Sequence, residues 1–178
     1  MIFIDFKRTL LRNFGSVFFS LIMPIGFYLL FTKVMNQGIL GKYLISFQKN
    51  YMVSMTTYSM VISMLFSFSS LLANDNRVGI PVWLRITSKS KSFYYFAKLI
   101  NILLQNIISI ILVCFVAVKI NHVLFSLREF IFMLFWLLFA SLPIALVGLM
   151  ISMISDENNR EVFSNLLAFP LIIVSGLW

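Results

Sequence analysis

Five long stretches of this chain carry no charged side chain, and they constrain the fold more than any other feature. They cover residues 13–32, 50–74, 99–118, 130–155 and 162–178. A helix needs about 20 apolar residues to cross ~30 Å of hydrocarbon, and the first four stretches reach that length. Lipid favours helices because they satisfy their own backbone hydrogen bonds, and the alternation typical of membrane strands is absent. We therefore predict an all-α, polytopic membrane helix bundle.

The composition agrees with a single transmembrane domain over residues 1–178. Charged residues make up 11% of the chain and hydrophobic residues 61%. Soluble domains carry about 25% charged residues, more than twice as many. This excludes a water-soluble enzyme with one core and a disordered chain. The predicted spans cover about residues 14–33, 51–73, 94–118, 130–154 and 162–178, and the chain end cuts the last one.

The basic residues predict the orientation, because Lys and Arg near span ends concentrate on the cytoplasmic side. With a cytoplasmic N-terminus, nine of the 14 basic residues lie inside and five lie outside. The inside set is Lys7, Arg8, Arg12, Arg77, Arg85, Lys89, Lys91, Lys98 and Arg160, and the outside set is Lys33, Lys42, Lys49, Lys119 and Arg128. We therefore expect a multi-pass protein of the cell (cytoplasmic) membrane with its N-terminus inside.

An amphipathic helix over about residues 2–12 is expected before the first span. Apolar residues recur there at three- and four-residue spacing, at Phe3, Phe6 and Leu10, whereas Arg8 and Arg12 fall on another face. Such a helix lies in the membrane interface with its basic residues toward the lipid headgroups. A simple extension of the first span remains the alternative.

The longest inside segment, residues 75–98, is called the basic segment below. It holds five basic residues and a single acid. Pro81 suits the first turn of a short helix, and Trp83 is a natural interfacial anchor. Four aromatic residues at positions 93–96 lead into the third span. The sequence predicts a short cytoplasmic helix beside the membrane, which either displays its cations to a partner or only sets topology and binds anionic lipid.

Several chemistries are excluded or made unlikely by residues that the sequence lacks. The predicted spans hold no acidic or basic group in their interiors, which argues against proton relays, voltage sensors and intramembrane hydrolases. Cys114 and His122 are the only residues of their types, so neither a disulfide nor a Cys-based metal site is expected. No G-x-x-x-x-G-K-[ST] phosphate loop occurs. We expect no enzymatic activity and no bound cofactor in this chain, so active transport would need a partner that binds ATP.

A stripe of hydroxyl side chains runs along the predicted second span. Its members recur at three- and four-residue steps and so share one helix face: Thr56, Ser59, Ser63, Ser67 and Ser70. Small hydroxylated residues commonly pack membrane helices together and form hydrogen bonds between them. The same stripe would also suit the lining of a transport path, and the residues alone leave both roles open.

Three segments together resemble the type-2 ABC permeases, which are membrane subunits of bacterial ATP-binding-cassette exporters. They are NDNRVGIPVWLRITSKSKSFYYFAKLI, then SLPIALVGLMISMIS with the following DENNREV, and finally NLLAFPLIIVSGLW. The order of elements is also similar: an amphipathic helix, two spans, a cytoplasmic helix and two more spans. The resemblance extends over nearly all of the chain.

The resemblance implies specific roles for residues of the basic segment. In that family the short helix docks into a cleft of the ATPase, which would give a coupling role to Arg77, Gly79, Trp83 and Arg85. The family's second and fifth spans line the substrate path, which favours a path-lining role for the hydroxyl stripe. The implied assembly is a pair of permease subunits with two separate ATPase subunits that bind ATP. We also expect contact with membrane lipid and no nucleic-acid partner.

One departure from the family concerns length. Family members have six spans with a short re-entrant element after the fifth, whereas this sequence ends at Trp178, where that element would begin. We therefore expect a fragment or a truncated product, and we expect that the 178-residue chain, if it is the complete polypeptide, does not support transport. The alternative function is that of a small membrane protein without a transport role, such as an immunity or signalling partner.

Overall fold

The computed structural model describes residues 14–34, 41–80, 84, 90–123 and 125–174, and these residues form helices and short connections without any strand. The helices are α1 (Phe14–Leu29), α2 (Gly41–Ile62), α3 (Ser69–Arg77), α4 (Lys91–Asn121), α5 (Leu127–Ile151) and α6 (Glu157–Val174). Two π-helical segments extend them, Leu30–Val34 after α1 and Ser63–Phe68 between α2 and α3. The prediction of an all-α bundle is confirmed. The proposed amphipathic helix at residues 2–12 lies outside the described residues.

Three of the described helices are long and apolar enough to cross a membrane: Ile45–Arg77, Ser92–Asn121 and Leu127–Ile151. A shorter apolar helix, Ile22–Lys33, lies within the predicted first span. The helix of the predicted fifth span begins with a polar stretch that contains Glu157, Arg160 and Glu161, and these charges lower its mean hydropathy. The first and fifth spans therefore stay predictions.

The continuous helical column from Gly41 to Arg77 is the centre of the bundle. Its segments contact α1, α4, α5 and α6. Of its most apolar 18-residue stretch, 72% is buried, whereas 17% of the corresponding stretch of α5 is buried. The exposed face of α5 carries large apolar side chains such as Phe132, Phe135 and Trp136, as expected for a helix surrounded by lipid. The column that bears the hydroxyl stripe is thus the inner helix.

A glycine permits the closest approach between α5 and this central column. A Cβ atom added at Gly148 would overlap the carbonyl oxygen of Met64 in the π-helical segment and would also touch the Phe68 ring. Small residues at such crossings let membrane helices pack backbone against backbone. Gly148 therefore fixes the distance between α5 and the middle of the central column.

Polar contacts connect four helices at one end of the bundle. At one end, Lys49 Nζ lies 2.8 Å from Glu129 Oε2, and Asn121 Nδ2 donates to Thr32 Oγ1 at 2.9 Å. These contacts join the start of α2, the end of α4, the start of α5 and the π-helical end of α1. The end of α3, the start of α4 and the start of α6 lie at the other end, which we call the loop end.

Candidate functional site

The two edges of the basic segment are joined by a buried ion pair at the loop end. Lys98 Nζ in α4 lies 3.0 Å from Asp75 Oδ2 in α3, and the two side chains are only 10% and 13% exposed. The Tyr94 hydroxyl donates to the same carboxylate oxygen at 2.5 Å, and the Lys98 ammonium lies 5.5 Å from the centroid of the Tyr94 ring. The helices before and after the basic segment are therefore held together by Asp75, Tyr94 and Lys98.

The basic segment also contacts α6. Arg77 Nη1 lies 3.3 Å from Glu157 Oε2, and both side chains are more than half exposed. An exposed pair of this kind contributes at most about 1 kcal/mol to stability. Its importance is positional, because it connects the end of the central column with the first turn of α6.

A left-handed glycine sets the direction in which the chain leaves α3. Gly79 has φ of +76°, a conformation that costs other L-residues roughly 1–2 kcal/mol. Its N–H donates to the Asn76 carbonyl at 3.1 Å, as the Val78 N–H does to the Asn74 carbonyl. Of the residues with an implied coupling role, Arg77 and Gly79 are thus placed at the end of α3, whereas Trp83 and Arg85 lie outside the described residues.

The structure divides the hydroxyl stripe into two parts. In the part farther from the loop end, the Thr56 hydroxyl donates to the Val53 carbonyl of its own helix at 2.7 Å. The Ser59 hydroxyl lies 2.6 Å from that of Ser109 in α4. Ser63 is also fully enclosed, within the π-helical segment. These three positions therefore pack the interior of the bundle.

Nearer the loop end, the hydroxyl stripe borders a cavity. Ser67 and Ser70 line a cavity of about 360 Å³ between the central column and α6. The α6 side of the cavity contributes Arg160, Ser164 and the carboxylates of Glu157 and Glu161, and apolar walls come from Ile62 and Phe66. Near this cavity, the Ser164 hydroxyl donates to the Leu65 carbonyl at 3.1 Å and joins α6 to the column. Residues of one stripe thus pack the bundle interior at Thr56, Ser59 and Ser63 and line the cavity at Ser67 and Ser70.

Two buried charged side chains at this site were not singled out from the sequence. Lys98 pairs with an acid 23 positions earlier, a separation at which sequence spacing carries no signal. Arg160 had a usable signal, since it shares a helical face with Ser164 and Ala168 at four-residue steps, and small residues of that kind typically face a neighbouring helix. Arg160, Ser164 and Ala168 are all buried. The described residues contain no group of three or more His, Cys, Asp or Glu side chains that could hold a metal ion.

The chain is similar in sequence to a bacterial protein. It is 28% identical over 174 residues to "Putative transport permease YvfS" of Bacillus subtilis (strain 168), and the alignment covers 98% of this chain and 70% of that protein. No family model matches the chain. No solved structure matches it either.

Proposed function

We propose that this chain is a membrane-spanning permease subunit of a type-2 ATP-binding-cassette exporter. It would form part of the substrate path and couple to a separate ATPase subunit, in an assembly with a second permease subunit. The similarity to a transport permease over 98% of the chain supports the transport role. The resemblance of the basic segment to the coupling region of such permeases supports the link to an ATPase.

The observation that carries the coupling proposal is the buried pair between Asp75 and Lys98. A force applied to the basic segment by an ATPase can move the bundle only if the segment is firmly attached to the helices on both sides. The pair and its Tyr94 hydrogen bond provide that attachment. The contact between Arg77 and Glu157 then extends it to α6, which forms one wall of the cavity. Closure of an ATPase on the segment would thus be transmitted to both walls of the proposed path.

Co-purification with the partner ATPase tests this coupling. We expect the tagged chain to retain a co-expressed phosphate-loop ATPase from an adjacent gene in a mild detergent, and the double variant Trp83→Ala/Arg85→Glu to lose it. The reason is that the variant removes the aromatic anchor of the predicted docking helix and reverses one of its charges. Arg128→Glu is the matched control, because it makes the same charge reversal at an exposed position at the opposite end of the bundle. Undiminished association of the double variant would refute the assignment.

The orientation of the bundle is tested by labelling single cysteines in intact cells. Native Cys114 is buried, and Cys114→Ala gives a background without thiols. Ser90 and Lys119 are exposed and lie at opposite ends of α4. With a cytoplasmic N-terminus, Lys119→Cys should react with a membrane-impermeant maleimide in intact cells, whereas Ser90→Cys should react only after permeabilisation. The reverse pattern would place the basic segment outside and rule out coupling to a cytoplasmic ATPase.

A further inference from the structure

The cavity at the loop end contains a buried cation whose hydrogen-bonding capacity is incompletely used. Arg160 is only 6% exposed, and its Nη1 atom has no hydrogen-bond partner among the described residues. Among the described residues, the nearest carboxylate oxygen is Glu157 Oε1, which lies 3.8 Å from Nη2 and is too distant for a hydrogen bond. The other oxygen of Glu157 is engaged by Arg77 at 3.3 Å. Arg160 is therefore poorly neutralised within the part of the chain that the structure describes.

The position of Arg160 is also unfavourable for folding. It lies in the first turn of α6, where its N–H donates to the Asp156 carbonyl at 3.1 Å. The N-terminal end of a helix carries a partial positive charge and disfavours a cation. Burial adds a desolvation cost that only good pairing offsets, and an apolar side chain of similar size is often at least as stable. Packing alone gives no reason for an arginine at this position.

The chemistry of the cavity walls indicates what would complete the site. Arg160 supplies a planar guanidinium, which binds phosphate and carboxylate oxygens in a fixed geometry. Ser67 and Ser70 line the facing wall, and Ile62 and Phe66 add an apolar patch. A volume of about 360 Å³ exceeds that of a single water and accommodates a small polar group. A ligand with an oxyanion group attached to an apolar or uncharged portion fits a site that combines a guanidinium, serine residues and an apolar patch.

We infer that the cavity binds a phosphate-type oxyanion through Arg160, at the point where the proposed substrate path opens at the loop end. This inference rests on the proposed function, because it assigns the cavity to the path of a transported, phosphate-bearing compound. The carboxylates of Glu157 and Glu161 also line the cavity and oppose an anion. Glu157 already contacts Arg77, and Glu161 is exposed to solvent, which screens its charge. We expect them to weaken binding without abolishing it.

Thermal unfolding of the purified 178-residue chain in maltoside micelles tests the inference. One arm adds inorganic phosphate, with sodium chloride at matched ionic strength as its reference. The other arm adds phosphatidic acid, with a neutral diacylglycerol of the same acyl chains as its reference. At ten times the dissociation constant, binding should raise the Tm by about 3–6 °C. A rise in both arms identifies a phosphate group from any source, whereas a rise with phosphatidic acid alone identifies a lipid headgroup.

Two matched variants show whether Arg160 is the binding group. Arg160→Met should weaken the apparent affinity about tenfold or more, since it removes a hydrogen bond to a charged group. Its Tm without added anion should equal or exceed that of the unchanged chain, a result that a purely structural role for Arg160 would not produce. Arg128→Met makes the same substitution at an exposed position and should leave the anion response unchanged.

The inference is overturned if neither anion raises the Tm of the unchanged chain, or if Arg160→Met responds to them as that chain does. A loss of Tm in Arg160→Met without added anion would likewise show that the arginine serves folding. None of these measurements requires the ATPase. Failure of the anion site would therefore leave the co-purification result intact, and failure of ATPase association would leave the anion response intact.

Discussion

Replacing Lys98 with Met should lower the free energy of unfolding by about 3 kcal/mol, at the lower end of the range for breaking a buried ion pair. The change leaves the Asp75 carboxylate enclosed, with the Tyr94 hydroxyl but without its cation. Much of the loss comes from this uncompensated charge and not from the attraction that is removed. Unfolding of the chain by sodium dodecyl sulfate in mixed micelles, followed by tryptophan fluorescence, measures the effect.

Two controls separate the buried charge from a general loss of lysine. The double variant Asp75→Asn/Lys98→Met should recover most of the stability, because neither buried charge remains. Lys49→Met breaks an exposed pair with Glu129 at the opposite end and should cost at most about 1 kcal/mol. Equal losses for Lys98→Met and Lys49→Met would show that the pair at the loop end is not a firm attachment.

The same substitution at two glycines should have opposite effects on stability. Gly148→Ala places a methyl group against the Met64 carbonyl, which cannot move without shifting the central column. Overpacking of this kind costs about 1–3 kcal/mol. Gly26 lies within α1, and a Cβ atom added there meets nothing within 4 Å. Gly26→Ala should therefore stabilise the chain by about 0.5–1 kcal/mol, through the higher helix propensity of alanine.

The detergent titration described above measures both glycine variants in parallel. A stabilising Gly148→Ala would mean that α5 lies farther from the π-helical segment than the structure places it. Because Gly148 and Gly26 are both helical glycines in apolar surroundings, propensity alone predicts a gain at both. A difference in sign can come only from tertiary contact.

The helical class could be predicted from the sequence because the membrane imposes its constraint locally. Each uncharged stretch must satisfy its own backbone, so its length and composition are sufficient to indicate a helix. The bounds of the helices were harder to predict. The helix that contains the predicted second span begins at Gly41, and Lys42 and Lys49 fall within it, because a helix can continue past the apolar region into water.

The hydroxyl stripe shows the limit of periodic patterns. Thr56, Ser59 and Ser63, spaced three and four residues apart, are all buried. Spacing does not reveal what each hydroxyl meets, since that depends on the neighbouring helix. Ser59 meets Ser109 of α4, whereas Ser67 and Ser70 reach the cavity beside α6. The same pattern therefore includes packing and lining positions that the sequence could not separate.

The sequence by itself determined that this chain forms apolar helices with its cations gathered between them, because hydrocarbon acts on each segment independently. Only the tertiary structure decided which charges meet. Asp75 pairs with Lys98 across the basic segment, and Arg77 pairs with Glu157, 80 positions away. Arg160 is buried in the bundle, and its Nη1 atom has no hydrogen-bond partner among the residues described. Such pairings depend on which helix ends are neighbours in space, and that depends on packing between segments far apart in the chain.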